Sequence, residues 1–343
     1  MRQGFGLGAV KRKLIIVAIS AMIIMPATAA SFSEIKRLAE RGDAVAQVGI
    51  AGMYGLGEGV KQDYAKAMEW ALKAAEQNNA TAQVIIGDFY EYGHGVRQDY
   101  TKAMEWHLKA AAQNQPDAQY RIGVLYGEGW GVRQDYAKAM EWYLKAAAQN
   151  HVRAQYRIGV LYGKGWGVRQ DYAKAMEWYL KAAAQNHVEA QYNIGVFYSK
   201  GIGVRQDYAK AMEWYLKAAA QNDVEAQYNI GFFYGEGWGV RQDYTKAMEW
   251  YLKAATQNHP ESQSKAGYLY VSGLGVRQDY AKAMEWYLKA AAQNHAEAQY
   301  NIGVLYIKGH SVRQDFKIAK EWFGKACDNG SQEGCDKYKL LNR

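Results

Sequence analysis

Apolar residues recur along most of the chain in a pattern whose period is 36 residues. In one unit they fall three or four positions apart over residues 117–126 and again over residues 136–147, which predicts two amphipathic helices. The segment Gly129-Trp130-Gly131 between them predicts a tight turn, because glycine adopts backbone angles that other residues avoid. Asp135 is expected to cap the second helix, and Asn150 to close it. Each unit is therefore predicted to be a helix-turn-helix.

The pattern keeps its register through eight units without an insertion or a deletion. Its clearest marker is a tryptophan in the second helix of every unit: Trp70, Trp106, Trp142, Trp178, Trp214, Trp250, Trp286 and Trp322. Repetition at a period of about 20–50 residues predicts a solenoid, in which each unit buries its apolar face against its neighbours. We expect an N-terminal capping helix at 31–43, eight repeats over 44–331, and a C-terminal capping helix at 332–343.

Two finer contacts are also expected within a unit. A glycine recurs inside the first helix, as at Gly123, although glycine costs a helix about 1 kcal/mol relative to alanine. Its recurrence predicts that a neighbouring helix passes too close for a side chain. In the second helix, Glu141 and Lys145 are four residues apart in the order that favours an ion pair.

The repeated motif is A-Q-Y-x-I-G-x-x-Y-x-x-G-x-G-V-x-Q-D-Y-x-K-A-M-E-W-Y-x-K-A-A. It resembles the Sel-1-like repeat family, whose members are relatives of tetratricopeptide repeats, and the resemblance covers nearly everything after residue 30. It implies an all-α fold, a right-handed α/α superhelical solenoid. It also implies a role as an adaptor or scaffold for protein complexes, often in bacterial envelopes or in signalling.

The first thirty residues differ in kind from the repeats. Residues 1–13 hold four basic residues and no acid, residues 14–25 are apolar, and Ala27-Thr28-Ala29 follows Pro26. This order predicts a secretory signal peptide over residues 1–30 and hence a periplasmic or secreted protein. The apolar run is shorter than the roughly 20 residues of a transmembrane helix, so no stable membrane insertion is expected after cleavage. An uncleaved anchor is the alternative.

The charge balance argues against a nucleic-acid partner. The chain has 42 basic and 34 acidic residues, a formal charge of +8. Subtracting the four basic residues of the predicted signal peptide leaves 38 against 34, or +4. Such a mild excess is not the basic surface that nucleic-acid binding requires.

The two cysteines, Cys327 and Cys335, are eight residues apart near the C-terminus of a chain that we expect to be exported. This arrangement predicts one disulfide bond, with two free buried thiols as the alternative. The family resemblance agrees, because a bridge in its cysteine-rich members joins the second helix of a repeat to the next helix. Those members carry several such pairs, whereas this chain has one.

The polar residues are spread along the repeats, which argues against a metal site. Four histidines share one position of the repeat: His151, His187, His259 and His295. Packed helices lie about 8–10 Å apart, whereas zinc ligands lie about 2.0–2.3 Å from the ion, so stacked copies cannot share one. We interpret these histidines as loop residues at a helix end. His94, His107 and His310 have no carboxylate or cysteine at metal-ligand spacing, so neither metal nor cofactor is expected.

An enzymatic alternative rests on a short motif near the N-terminus. Some cysteine-rich members of the resembled family are linked to β-lactam hydrolysis, and Ser33-Glu34-Ile35-Lys36 matches the S-x-x-K motif of that chemistry. Neither S-D-N nor K-T-G occurs in the chain. A hydrolase acting on β-lactams or peptidoglycan is therefore kept as the alternative function.

Binding is the function that the repeats favour, because solenoids present extended surfaces to long partners. The candidate residues differ between repeats while the frame is constant, and they belong to types found in interface hot spots or lie beside them. They are Tyr120, Arg121, Tyr156, Arg157, Tyr192, Asn193, Tyr228, Asn229, Trp130, Trp166 and Trp238. The alternative is that these side chains only pack repeats together. Our hypothesis is an exported, non-enzymatic scaffold that binds a peptide or protein, such as a cell-envelope component, along its concave face.

Overall fold

The computed structural model describes residues 31–342, so the predicted signal peptide lies outside the described residues. Within that range the chain has eighteen helices and no strand. It divides into two compact units, and the division falls between Ala182 and Ala183.

The first unit contains a short helix followed by paired helices. These are α1 (Phe32–Glu40), α2 (Ala44–Leu56), α3 (Tyr64–Glu76), α4 (Ala80–Tyr92), α5 (Tyr100–Ala112), α6 (Pro116–Glu128), α7 (Tyr136–Ala148), α8 (Val152–Lys164) and α9 (Tyr172–Ala184), the last of which ends just beyond the division. Consecutive helices contact one another, most extensively within a repeat.

The second unit continues the same alternation and ends in a short helix. Its helices are α10 (Val188–Lys200), α11 (Tyr208–Ala220), α12 (Val224–Glu236), α13 (Tyr244–Thr256), α14 (Pro260–Ser272), α15 (Tyr280–Ala291), α16 (Ala296–Lys308), α17 (Phe316–Asp328) and α18 (Gln332–Leu340). The structure joins Cys327 of α17 to Cys335 of α18 through their sulfur atoms. The predicted fold class, an all-α solenoid of helix-turn-helix repeats, is confirmed.

The helix ends follow the local sequence signals. Asp135 Oδ1 accepts a hydrogen bond of 3.0 Å from the Lys138 backbone N–H and caps α7 as predicted, since the first N–H groups of a helix lack internal partners. The first helix, α6, runs two residues beyond the predicted end and stops at Gly129, whose φ of 71° is left-handed. Asn150 has a φ of 60° just after α7, a conformation that asparagine tolerates better than most residues.

The core of each repeat depends on a side-chain ring that lies against a glycine. A Cβ placed on Gly123 of α6 would sit 2.6 Å from ring atoms of Tyr143 of α7, which real Cβ atoms do not do. The predicted close approach is confirmed, and the neighbour is the second helix of the same repeat. Six other repeats have the same arrangement: Gly87 with His107, Gly159 with Tyr179, Gly195 with Tyr215, Gly231 with Tyr251, Gly267 with Tyr287 and Gly303 with Phe323.

A chain of side-chain amides holds the repeats in register. Gln149, which follows α7, donates a hydrogen bond of 2.9 Å to Gln119 Oε1 of α6 and one of 3.2 Å to Asn114 Oδ1, which follows α5. Gln119 is buried, so the hydrogen bond satisfies a polar group that would otherwise be costly to bury. These bonds tie each second helix both to its own partner helix and to the end of the preceding repeat.

One predicted contact is wrong. Lys145 does not pair with Glu141; its Nζ atom lies 3.9 Å from the ring centroid of Trp142, three residues earlier. The indole face attracts the ammonium group while the charge stays accessible to water. All eight repeats have this lysine–tryptophan contact at 3.8–4.2 Å.

Candidate functional site

A pocket of about 620 Å³ opens in the second unit, lined by residues of α10, α11 and α12 and the turns that follow α10 and α12. We call it the aromatic pocket. It is lined by Tyr192, Asn193, Val196, Ser199, Lys200, Gln206, Tyr208, Tyr215, Asn229, Phe232, Phe233 and Trp238. The structure therefore brings four of the predicted binding residues together: Tyr192, Asn193, Asn229 and Trp238.

Aromatic rings form one wall of this pocket. The Trp238 ring stacks on Tyr208 at 4.7 Å between centroids, and Phe232 meets it edge-on at 5.0 Å. Gln206 Nε2 donates to the Tyr208 hydroxyl at 3.0 Å and to the Ser199 carbonyl at 2.8 Å, which fixes the tyrosine ring. Trp238 is nevertheless 37% exposed, so part of its ring is open to a ligand.

Side-chain amides and one cation supply the polar part of the lining. Asn229 Nδ2 donates to the Glu225 carbonyl at 2.8 Å, so its amide has a fixed orientation. Tyr192 is half-buried, and burial raises the pKa of its hydroxyl to about 12. Its phenol is therefore uncharged at neutral pH and serves as a hydrogen-bonding group. Lys200, at the end of α10, is the charged residue in this lining.

The other predicted binding residues do not gather at the aromatic pocket. Trp130 stacks on Tyr100 at 5.2 Å, and Trp166, which is 40% exposed, stacks on Tyr136 at 4.9 Å. Each of these rings therefore covers the start of a helix in the preceding repeat. The remaining three are half-buried: Tyr156 against Tyr179, Arg157 against Tyr120, and Tyr228 between Tyr251 and His259.

Tyr120 and Arg121 depart from the prediction. Both are buried, with 8% and 5% exposure, so they face other side chains and not a partner. Tyr120 stacks on His151 at 4.7 Å because the ring completes the apolar core between α6 and α8. Arg121 instead enters a polar cluster inside the first unit.

That cluster contains Asp88 and Glu91 of α4, His107 of α5 and Arg121 of α6. Arg121 Nε lies 3.0 Å from Asp88 Oδ1, and its Nη1 atom donates to the hydroxyl of Tyr92 at 2.5 Å. Burial raises the pKa of Asp88. Burial acts in the same direction on Glu91, but Arg121, His107 and Tyr92 together outweigh it, and the pKa of that carboxyl lies below its ordinary value.

Sequence reasoning missed this cluster. The prediction that His107 lacks nearby carboxylates is wrong, because Asp88 and Glu91 are distant in sequence but adjacent in space. One signal was present: at these three positions the next repeat has Val124, Gly127 and Tyr143. Three ionisable residues that replace the usual residues of one repeat indicate that their side chains lie together.

The shared histidine position is a helix cap. His151 Nδ1 accepts a hydrogen bond of 3.2 Å from the Ala154 backbone N–H at the start of α8, and the equivalent His187, His259 and His295 do the same. The prediction of loop residues at a helix end is thereby refined: they start the next helix. Asn79 and Asp223 occupy the same position with ordinary capping side chains.

The S-x-x-K motif does not form a catalytic pair. The Ser33 hydroxyl lies 2.7 Å from the Ser31 hydroxyl, whereas Lys36 Nζ lies 3.5 Å from Glu40. A nucleophilic serine needs its base within hydrogen-bond reach. In this arrangement the lysine interacts with a carboxylate one turn further along α1.

Stacked helix pairs that differ mainly at a few surface positions define a helical-repeat solenoid, a class that typically serves as protein-interaction scaffolds and is generally non-catalytic. The Sel1 repeat model matches residues 43–79, 80–115, 116–151, 152–187, 188–223, 224–259, 260–295 and 296–331. The chain therefore belongs to the Sel1 repeat family. Among residues 31–342, no helix is both long and apolar enough to span a bilayer.

Two solved structures have closely similar folds. The crystal structure of c5321, a protective antigen present in uropathogenic Escherichia coli strains, is 35% identical with a TM-score of 0.83, covering 91% of this chain and 67% of that one. A Sel1 repeat protein from Oxalobacter formigenes is 29% identical with a TM-score of 0.69, covering 94% of each chain. No curated protein matches the sequence significantly.

The histidine caps predict a pH-dependent stability. Burial lowers the pKa of His295, and the nearby Lys265 and His259 lower it further. Glu261 and Glu297 raise it, but by less, so the pKa lies below its ordinary value. Because the folded pKa lies below the unfolded one, the cap stabilises the protein above about pH 6.5 and is lost as the pH falls. We expect His295→Asn, which supplies a cap that does not titrate, to match the wild type at pH 7.5.

At pH 5 the same variant should be more stable than the wild type by up to about 1 kcal/mol, the usual contribution of an N-cap. Urea unfolding followed by circular dichroism at the two pH values measures the difference. A difference that does not change with pH would contradict the assignment of the ring as a titrating cap.

Proposed function

We propose that this protein is an exported, non-enzymatic scaffold that binds an extended segment of a partner protein in the aromatic pocket. The observation that carries the proposal is the convergence of Tyr192, Asn193, Asn229 and Trp238 on one pocket. These side chains come from two successive repeats, and their types are suited to recognition. Its volume of about 620 Å³ lies within the range of about 300–1,000 Å³ that ligand pockets usually have.

The amides favour a peptide over a compact ligand. Asn193 and Asn229 occupy the same position of successive repeats, so they lie one repeat step apart. A step of roughly 10 Å equals about three residues of extended chain. A side-chain amide carries both a donor and an acceptor, as a peptide group does, so two such amides can hold a backbone in one register.

The other residues that line the aromatic pocket determine which side chains of the partner segment it prefers. The exposed part of the Trp238 ring and the neighbouring Phe232 ring offer an apolar surface for an aromatic or aliphatic side chain. Lys200 favours an acidic residue close to it. The partner segment should therefore carry an apolar anchor with a carboxylate nearby.

Binding is tested with peptides selected from a random twelve-residue display library against the full chain. A selected peptide is labelled, and its affinity is measured by fluorescence anisotropy. Trp238→Ala and the double change Asn193→Ala/Asn229→Ala should each weaken binding by at least about tenfold, a loss of about 1.4 kcal/mol. Trp166→Ala removes the equivalent tryptophan of the first unit and should change the affinity by less than about twofold.

Circular dichroism confirms that each variant is folded. If the variants of the aromatic pocket bind as the wild type does, or if Trp166→Ala weakens binding as much as Trp238→Ala, the partner does not occupy this pocket.

Export is the second part of the proposal. Residues 1–30 have the order of a signal peptide, and the joining of Cys327 to Cys335 suits an oxidising compartment. The relative c5321 is described as a protective antigen, and antibodies reach antigens outside the cytoplasm most readily. Together these features favour the periplasm or the exterior of the cell.

Expression in a Gram-negative host tests export. We expect the chain in the periplasmic fraction or the medium, with a mass reduced by the signal peptide and with no thiol that iodoacetamide alkylates before reduction. The double change Cys327→Ser/Cys335→Ser gives the matched control for alkylation. A full-length chain in the cytoplasm with both thiols reactive would refute this part while leaving the binding proposal standing.

A further inference from the structure

The second repeat places three ionisable side chains where other repeats place apolar or small ones. We call Asp88, Glu91 and His107 the buried cluster. At the position of Asp88 the other repeats have Gly52, Val124, Val160, Val196, Phe232, Tyr268 and Val304, and at the position of His107 five of them have tyrosine. Burying such groups costs free energy unless each is paired. The buried cluster therefore needs an interaction that the apolar repeats do not.

The geometry converges on one point. Asp88 and Glu91 are three residues apart on α4 and so share a face, and His107 of α5 faces them. His107 Nε2 lies 3.5 Å from Glu91 Oε2 and 3.8 Å from Asp88 Oδ1. One ligand atom from each residue falls within 4.8 Å of the others. The side chains of His107, Asp88 and Glu91 are 0%, 6% and 1% exposed.

The facing atoms are not hydrogen-bonded. Within the part of the chain that the structure describes, Glu91 Oε2 and both ring nitrogens of His107 have no hydrogen-bond partner. A protonated histidine between two carboxylates would be expected to form charge-assisted hydrogen bonds of about 2.7–2.9 Å. The separations of 3.5 and 3.8 Å are too long for that.

The same separations suit ligands of one metal ion. Two ligands about 2.0–2.1 Å from a tetrahedral zinc ion lie about 3.3 Å from each other. The two distances from His107 to the carboxylates, 3.5 and 3.8 Å, need to shorten by only about 0.2–0.5 Å to reach that value. Imidazole nitrogen with carboxylate oxygens is a donor set that zinc accepts, and three protein ligands leave a fourth position for water.

Arg121 pairs with both carboxylates, and its Nε atom lies 3.0 Å from Asp88 Oδ1. Its Nη2 atom donates to Asp88 Oδ2 at 3.4 Å and its Nη1 atom to Glu91 Oε1 at 3.5 Å, which leaves Glu91 Oε2 directed at His107. Outer groups that orient metal ligands in this way are a regular part of metal sites. Gly87 completes the arrangement, because a Cβ there would overlap the His107 ring.

We propose that Asp88, Glu91 and His107 form a binding site for a single divalent transition-metal ion of the zinc class. The ion joins α4 to α5 in the second repeat and stabilises the first unit. The site is distinct from the aromatic pocket of the second unit, so its test does not depend on the proposed partner.

The test is a titration of the chelator-treated full chain with ZnCl₂ by calorimetry. We expect one ion per chain with a dissociation constant of about 1 µM or tighter, and a higher thermal midpoint with zinc than with EDTA. Co²⁺ should bind to the same site and give the visible absorption of a tetrahedral or five-coordinate centre. Mg²⁺ should not compete, because it prefers six oxygen ligands.

Two variants and a control assign the site. His107→Tyr introduces the residue that five other repeats have at this position, and Glu91→Gln keeps the shape while removing the charge. Each should weaken zinc binding by at least about 100-fold, with circular dichroism in EDTA showing that the helices remain. His259→Asn alters a different histidine, which lies 3.4 Å from Glu225 and 3.3 Å from Glu261, and should leave the affinity unchanged.

The proposal is overturned if the wild type binds no zinc at one equivalent, which would leave His107 as a buried imidazole or imidazolium. It is equally overturned if both His107→Tyr and Glu91→Gln bind zinc as the wild type does, or if the tight site disappears in His259→Asn.

Discussion

The contact between a glycine of the first helix and a side-chain ring of the second determines how each repeat is built. Without a Cβ at Gly123, the Tyr143 ring lies flat on the backbone of α6 and the two helices approach closely. The tyrosine is buried, so it cannot move away from an added methyl group. The first repeat achieves its approach with two small side chains, Ala51 and Ala71, both fully buried in one apolar cluster.

Both candidate sites include the residue at this ring position. In the second repeat the ring is His107, which brings two nitrogens to the face of α4 that carries Asp88 and Glu91. In the fifth repeat it is Tyr215, whose hydroxyl lies 3.3 Å from the Ser199 hydroxyl in the lining of the aromatic pocket. A constant backbone therefore gives different repeats different chemistry through a few substitutions.

The period and the local signals made the helices, the aspartate caps and the glycine contact predictable from sequence, because each depends on residues close in the chain or on the repeat itself. Contacts between side chains of different helices, and the choice between neighbouring partners, were harder to predict from sequence. Trp142 is three residues and Glu141 four residues from Lys145, so both are within reach on the helix and only the packing decides that the lysine contacts the indole face. Arg121 is buried because it pairs with Asp88 and Glu91, which no other repeat has at these positions. A prediction based on what the repeats share could not anticipate this burial. Trp238 was predicted as a binding residue, but its proximity to Asn193 could be found only from the structure.

The most direct test of the central contact is a double-mutant cycle on Gly123 and Tyr143, measured by urea unfolding. Gly123→Ala should destabilise the protein, whereas Gly127→Ala, whose Cβ would come no nearer than 3.7 Å to any neighbour, should not. With Tyr143→Ala in the background, the added methyl group at position 123 no longer overlaps a ring. The account predicts a coupling free energy of about 1 kcal/mol or more between the two changes, and effects that add within about 0.3–0.5 kcal/mol would contradict it.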